Sequence, residues 1–281
     1  MVLLLAPWMT GCSAIRLGYA NGPQLAWWWL DGYVDFSREQ TPAAKRAIDQ
    51  WFDWHRSTQL PPYAALLASL QPAVLEPTTP ARACLWQDRI RDQFDPAIER
   101  ALADFASLLP SLGEAQFKHI EHRYAKGNDE MRSDFLQPDP ATRLKESVRR
   151  TVERAERLYG SLDDGQLRLV TAGVAASPFN PEAWLAERQR RQLDTLQTLR
   201  RMVAVHADQD TRLAALRALA VRVERSPDPE YRAYQLKLNE YNCAFAAQLH
   251  NATTAAQRQQ ARSVLKGWED DLRSLTAPAA S

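Results

Sequence analysis

The residues able to do chemistry in this 281-residue sequence are five histidines, three cysteines and a handful of carboxylates. His119 and His122 stand three apart, so a helix would turn both imidazoles to one side with Glu121 between them. Two ligands fall short of the three or four that a zinc site uses. The expected reading is an exposed polar face beside Arg123 and Lys126. Trp54-His55-Arg56 closes a predicted helix, where basic groups complement the helix dipole. A functional reading stands beside that one. Asp31 and Asp35, four residues apart, could close a polar pocket with His55 and Arg56, the pairing that acid–base work needs. No glycine-rich phosphate loop, HExxH or GxSxG occurs. No catalytic residue is assigned, and no metal or cofactor is expected.

The chain opens with an apolar stretch that ends in Gly11-Cys12-Ser13. This resembles the end of a bacterial lipoprotein signal, in which the cysteine is acylated and becomes the first mature residue. The resemblance implies a signal segment over 1–11, with an in-frame basic extension upstream, and a lipid on Cys12. Residues 12–22 would be the tether. Acyl chains bind at ~0.8 kcal/mol per buried methylene, so two or more chains give a firm hold. Ser13 resembles the sorting residue of an outer-membrane address facing the periplasm. Cys84 and Cys243 remain. Two cysteines in an oxidising compartment can pair, but they lie on different predicted helices, and buried free thiols are the expected state.

The elements that must position these groups are helices. Thr41-Pro42, Thr79-Pro80, Asp139-Pro140, Asn180-Pro181 and Asp228-Pro229 each read as an N-cap followed by proline at the first helical position. Apolar residues then recur at steps of three and four, as in Leu144, Val148, Val152 and Ala155, or Ala261, Leu265, Trp268 and Leu272. Pro96 marks a kink or break in a helix over 81–109. No segment alternates with the period of a strand. The expected fold is all-α: nine to ten helices in a bundle or array over 23–276, a single domain, with a flexible tail at 277–281. Phe36…Gln40, Leu112…Gln116 and Leu162…Gln166 share an apolar residue with glutamine four places on. The spacing is a helix-start solution and also resembles the Leu-Thr-x-x-Gln motif of small periplasmic chaperones.

An aromatic hairpin, helices over 23–36 and 42–57, opens the domain. Trp27, Trp28 and Trp29 are 100° apart on a helix and cannot share a face. They are expected to be core from different sides, forming one cluster with Trp51 and Trp54; contact with a membrane or partner is the alternative. The stretches 11–19, 27–36 and 54–67 are together similar to a family of uncharacterised bacterial lipoproteins. That resemblance implies an envelope lipoprotein with a helical domain, and it brings no activity.

Thirty-five basic against 34 acidic residues give a net charge of +1, which argues against a nucleic-acid partner. The first half is acidic and the second basic. Arg143, Arg149, Arg150, Arg154 and Arg157 crowd one helix. A solvated face is the default, and a surface for acidic headgroups, an anionic glycan or an acidic protein is the alternative. The expected function is a lipid-anchored, non-enzymatic scaffold or binding protein with an envelope protein or glycan as partner. Its candidate surface is Trp27, Trp28, Trp29, Trp51, Trp54, His55 and Arg56. Chaperone-like binding of unfolded polypeptide, or enzymatic action on an envelope polymer, are the alternatives.

Overall fold

The computed structural model describes residues 14–276. The expected signal segment, Cys12 and the tail lie outside the described residues. The stretch read as a tether is helical from Ala14. In order the helices are α1 (Ala14–Ala20), α2 (Gly22–Val34), α3 (Thr41–Thr58), α4 (Leu60–Ala73), α5 (Pro80–Asp92), α6 (Asp95–Leu108), α7 (Glu114–Phe135), α8 (Pro140–Tyr159), α9 (Asp164–Ala175), α10 (Pro181–Ala204), α11 (Gln209–Glu224), α12 (Pro229–Asn251) and α13 (Ala255–Thr276), with a single 3-10 turn at Leu109–Ser111. Among the described residues there are thirteen α-helices, not nine or ten. Pro61 and Pro62 offer no amide to continue α3, so α4 starts afresh, and the Pro96 region separates α5 from α6.

Four of the five proline starts are capped as their sequence requires. Thr79, Asp139, Asn180 and Asp228 each accept a bond from an amide of the first turn. Thr41 does not cap its helix. Just ahead of it the Ser37 amide donates to Gln40 Oε1 at 2.8 Å, in the turn that leads into the helix.

That glutamine belongs to a device used four times. Gly113 N donates to Gln116 Oε1, Asp163 N to Gln166 Oε1 and Thr254 N to Gln257 Oε1, at 2.9–3.0 Å. Each glutamine is thereby fixed on its own helix start, with its Nε2 free to reach across. Gln116 Nε2 donates to Gln40 Oε1 and to the Asp35 carbonyl, and Gln40 Nε2 donates to the Ser111 carbonyl. Gln166 Nε2 donates to Gln257 Oε1 and to the Ala252 carbonyl, and Gln257 Nε2 donates to the Ser161 carbonyl. The result is two clasps of the same atomic pattern, each joining the turns of two helical hairpins. The fourth member has Thr253 where the others have Phe36, Leu112 and Leu162.

Each clasp holds one half of the molecule together. In the first half α2 packs on α3 and α7, and α3 on α6; in the second α8 packs on α9 and α13, and α9 on α12. The hairpin between is exchanged. α4 and α5 leave the first half to pack on α13 and α12, while α10 and α11 leave the second to pack on α7 and α6. Burial follows the same scheme. Four residues beyond the clasp glutamines stand Ala44, Ile120, Val170 and Ala261, all buried. Twelve beyond stand buried Asn128, which bonds Gln192 on α10, and buried Glu269, which accepts from Gln71 on α4. Apolar burial at ~25 cal/mol per Å² does most of the stabilising, and the clasps fix the register of the helices that supply it.

Candidate functional site

The aromatic hairpin forms, but its tryptophans separate. Trp27 alone is core, packed with Ala44 and Ile48 and stacked on Phe36 at 5.7 Å. Trp28 and Trp29 are each 63% exposed, which corrects the expectation that all three are buried. α2 meets α3 on one side and α7 on another, and neither neighbour covers the third. With Leu25, one turn earlier, they make an exposed apolar stripe. Trp51 does not join Trp27. It lies around α3 from Ile48, so its indole N–H donates to the Ala97 carbonyl of α6 at 3.1 Å, and its ring stacks on His55 at 4.5 Å.

The polar pocket of Asp31, Asp35, His55 and Arg56 does not form. The two helices run antiparallel, which puts the aspartates at the turn and His55 at the open end. Asp31 Oδ1 accepts from the Phe36 amide at 3.1 Å, and Asp35 ends α2 in the left-handed region at φ 57°. His55 is buried against Tyr19, whose hydroxyl meets Nδ1 at 2.9 Å. Burial lowers the pKa of His55, so the imidazole is neutral near pH 7. Arg56 stacks its guanidinium 5.5 Å over the Tyr19 ring. These groups close the end of the hairpin; they do not converge on a reactive point.

The other candidates resolve as follows. His119 Nε2 lies 3.2 Å from the Gly32 carbonyl, a link between α7 and α2. Among the described residues no cluster of three His, Cys, Asp or Glu is placed to hold a metal. Cys84 and Cys243 are not free thiols. They form a disulfide that joins α5 to α12, with Cα atoms 5.3 Å apart. Sequence separation alone gave no sign of this, because the exchange of α4 and α5 into the second half creates the contact.

A cleft of about 1010 Å³ opens in the second half between α8, the start of α10 and α12. One stripe of α8, Arg143, Ser147, Arg150 and Arg154, forms a wall. Phe135, Phe179 and Trp184 form another, ring against ring at 5.1–6.4 Å. Arg150 lies 4.4 Å over the Phe135 ring and donates to the Asp134 carbonyl at 3.1 Å, so its guanidinium is held. Arg143 pairs with Glu182 at 3.2 Å, among the described residues the one carboxylate that lines the cleft against three arginines. On the floor Tyr241 Oη donates to the Gly173 carbonyl at 2.6 Å. Positive charge beside aromatic faces suits a ligand with carboxylates and apolar groups together. The surplus of arginine on this helix was visible in the sequence. The walls opposite it were not, because they come from three other segments.

The sequence model of a family of unknown function, DUF6279, matches residues 32–232. No curated protein and no solved structure matches the chain. The matched stretch includes α3 to α11 with the α8 wall and the aromatic wall of the cleft, while the α12 residues Leu238, Tyr241 and Phe245 lie beyond it.

Proposed function

The chain belongs to the DUF6279 family, whose function is unknown, and from that premise we propose that it is a lipid-anchored protein of the bacterial envelope that binds an anionic partner. It is held at the outer membrane, facing the periplasm, through acylated Cys12, and it has no catalytic activity of its own. The observation that carries the binding role is the cleft, where the described residues place three arginines and five aromatic rings around one carboxylate.

The anchoring role is supported by the exposed stripe Leu25, Trp28 and Trp29. It starts thirteen residues after Cys12 in the sequence, near enough to lie in the headgroup region, where tryptophan is favoured. No described helix is long and apolar enough to cross a membrane. The Cys84–Cys243 bridge fits an oxidising compartment.

Two measurements test the proposal. Cys12→Ala should move the protein from the membrane fraction to the soluble one; a variant that still sediments with membranes contradicts the anchor. The soluble variant should bind polyglutamate in a titration, and Arg150→Glu with Arg154→Glu should abolish it. Binding that ignores both arginines contradicts the cleft.

A further inference from the structure

The two halves share one frame, so a place filled in one and empty in the other shows the shape of what is missing. Counted from the clasp glutamines Gln40 and Gln166, α3 and α9 occupy matching places. α3 ends at Thr58, 18 residues beyond its glutamine, and α9 at Ala175, only 9 beyond. The extra turns of α3 carry Trp51 and Phe52 between α2 and α6. Trp51 bonds the Ala97 carbonyl of α6, and Phe52 packs on α2 so closely that a Cβ on Gly22 would stand 2.4 Å from its ring. In the second half Trp51 and Phe52 correspond to Ser177 and Pro178, where α9 has ended. Ala97 corresponds to Leu238, and Gly22 to Val148. Leu238 on α12, and Ser147 and Thr151 beside Val148 on α8, line the cleft. The empty volume therefore lies where the first half places the aromatic second half of its own helix.

We propose that the cleft receives a short amphipathic helix from a partner protein, apolar residues inward against Leu238 and Trp184 and carboxylates outward against Arg143, Arg150 and Arg154. This rests on the reading of the cleft as an anionic-partner site and adds the form of the partner. Charge complementarity sets the acidic character, and the helix in the matching place sets the shape.

The test uses the whole chain carrying Cys12→Ala and two synthetic helical peptides of equal length. Both present tryptophan and phenylalanine on one face; one has glutamate on the other face, the second has lysine. In an anisotropy titration the glutamate peptide binds at least about tenfold more tightly than the lysine peptide. Arg150→Glu with Arg154→Glu inverts that order. Thr151→Trp, which plugs the cleft without changing charge, abolishes binding with the unfolding midpoint unchanged; Ser147→Trp serves where the first variant fails to fold. Polyglutamate or anionic vesicles that bind through Arg150 and Arg154 while neither peptide does would overturn the helical partner and leave the anionic site standing. No dependence on either arginine for any probe would overturn both.

Discussion

The hairpin end of the first half and the matching end of the second are built on the same scaffold and finished differently. In the first, Trp51, Phe52, His55, Tyr19 and Tyr63 close ring against ring. In the second, α9 stops early and leaves arginines and aromatic rings around open space. The comparison teaches that the tryptophan-rich segment, which draws the eye in the sequence, is mostly packing. The place for a ligand is where the same frame lacks that packing. The joints between exchanged hairpins differ too. α5 is tied to α12 by the Cys84–Cys243 disulfide, while in the matching joint Arg217 on α11 pairs with Glu99 on α6 at the surface.

The joints give the largest expected effect. A disulfide that spans 159 residues removes much chain entropy from the unfolded state, so Cys84→Ala with Cys243→Ala should destabilise the protein by about 4 kcal/mol. Arg217→Ala should cost under about 1 kcal/mol, as exposed ion pairs do. Chemical denaturation of both variants checks the contrast, and equal losses would break it.

The clasps come next. Gln166 is 2% exposed, and Gln166→Leu strands the Asp163 amide and the Ala252 carbonyl, a loss of about 2–4 kcal/mol. Gln40 is less buried, and water can satisfy its partners after Gln40→Leu, so about 1 kcal/mol is expected there. Thermal unfolding of the pair should show the second-half clasp to be the stronger.

The smallest effect is on pH. Each half buries a histidine next to a tyrosine: His55 with Tyr19, and His250 with Tyr159 at 2.8 Å. His250 Nε2 donates to the Glu76 carbonyl at 2.8 Å, so its Nδ1 accepts from Tyr159. Burial holds both imidazoles below their ordinary pKa. The unfolded chain then takes up protons first, and stability falls as pH drops below about 6.5. Carboxylates such as Asp194, held low by the bond from Arg222, lose their contribution only at more acid pH. Unfolding free energy measured between pH 7 and 5.5 should therefore decline, and His55→Gln or His250→Gln should each flatten the slope.

Helix starts were legible at Thr79, Asp139, Asn180 and Asp228, each before a proline, because the cap is a local bond between neighbours; Asp95 before Pro96 opens α6 without such a bond and was not read as a start. Three of the four clasp glutamines were legible as helix starts. The fourth, Gln257, was hidden because Thr253 replaces the apolar residue. That the glutamines pair was not legible, since the partners lie 76 and 91 residues apart. The exposure of Trp28 and Trp29 was not legible either. It depends on which faces of α2 meet a neighbour, and a run of tryptophans reads the same whether covered or bare. The arginine stripe of the cleft could be seen along α8, but its depth comes from the early end of α9, which stops 9 residues after its clasp glutamine where α3 runs 18, a difference that has meaning only beside α3.

Hydrogen exchange of the whole chain with and without the glutamate-bearing helical peptide tests the central claim most directly. The account predicts protection in residues 140–154, 173–184 and 238–245, with residues 22–58 unchanged. Protection confined to the tryptophan hairpin, or none in the second half, would contradict it.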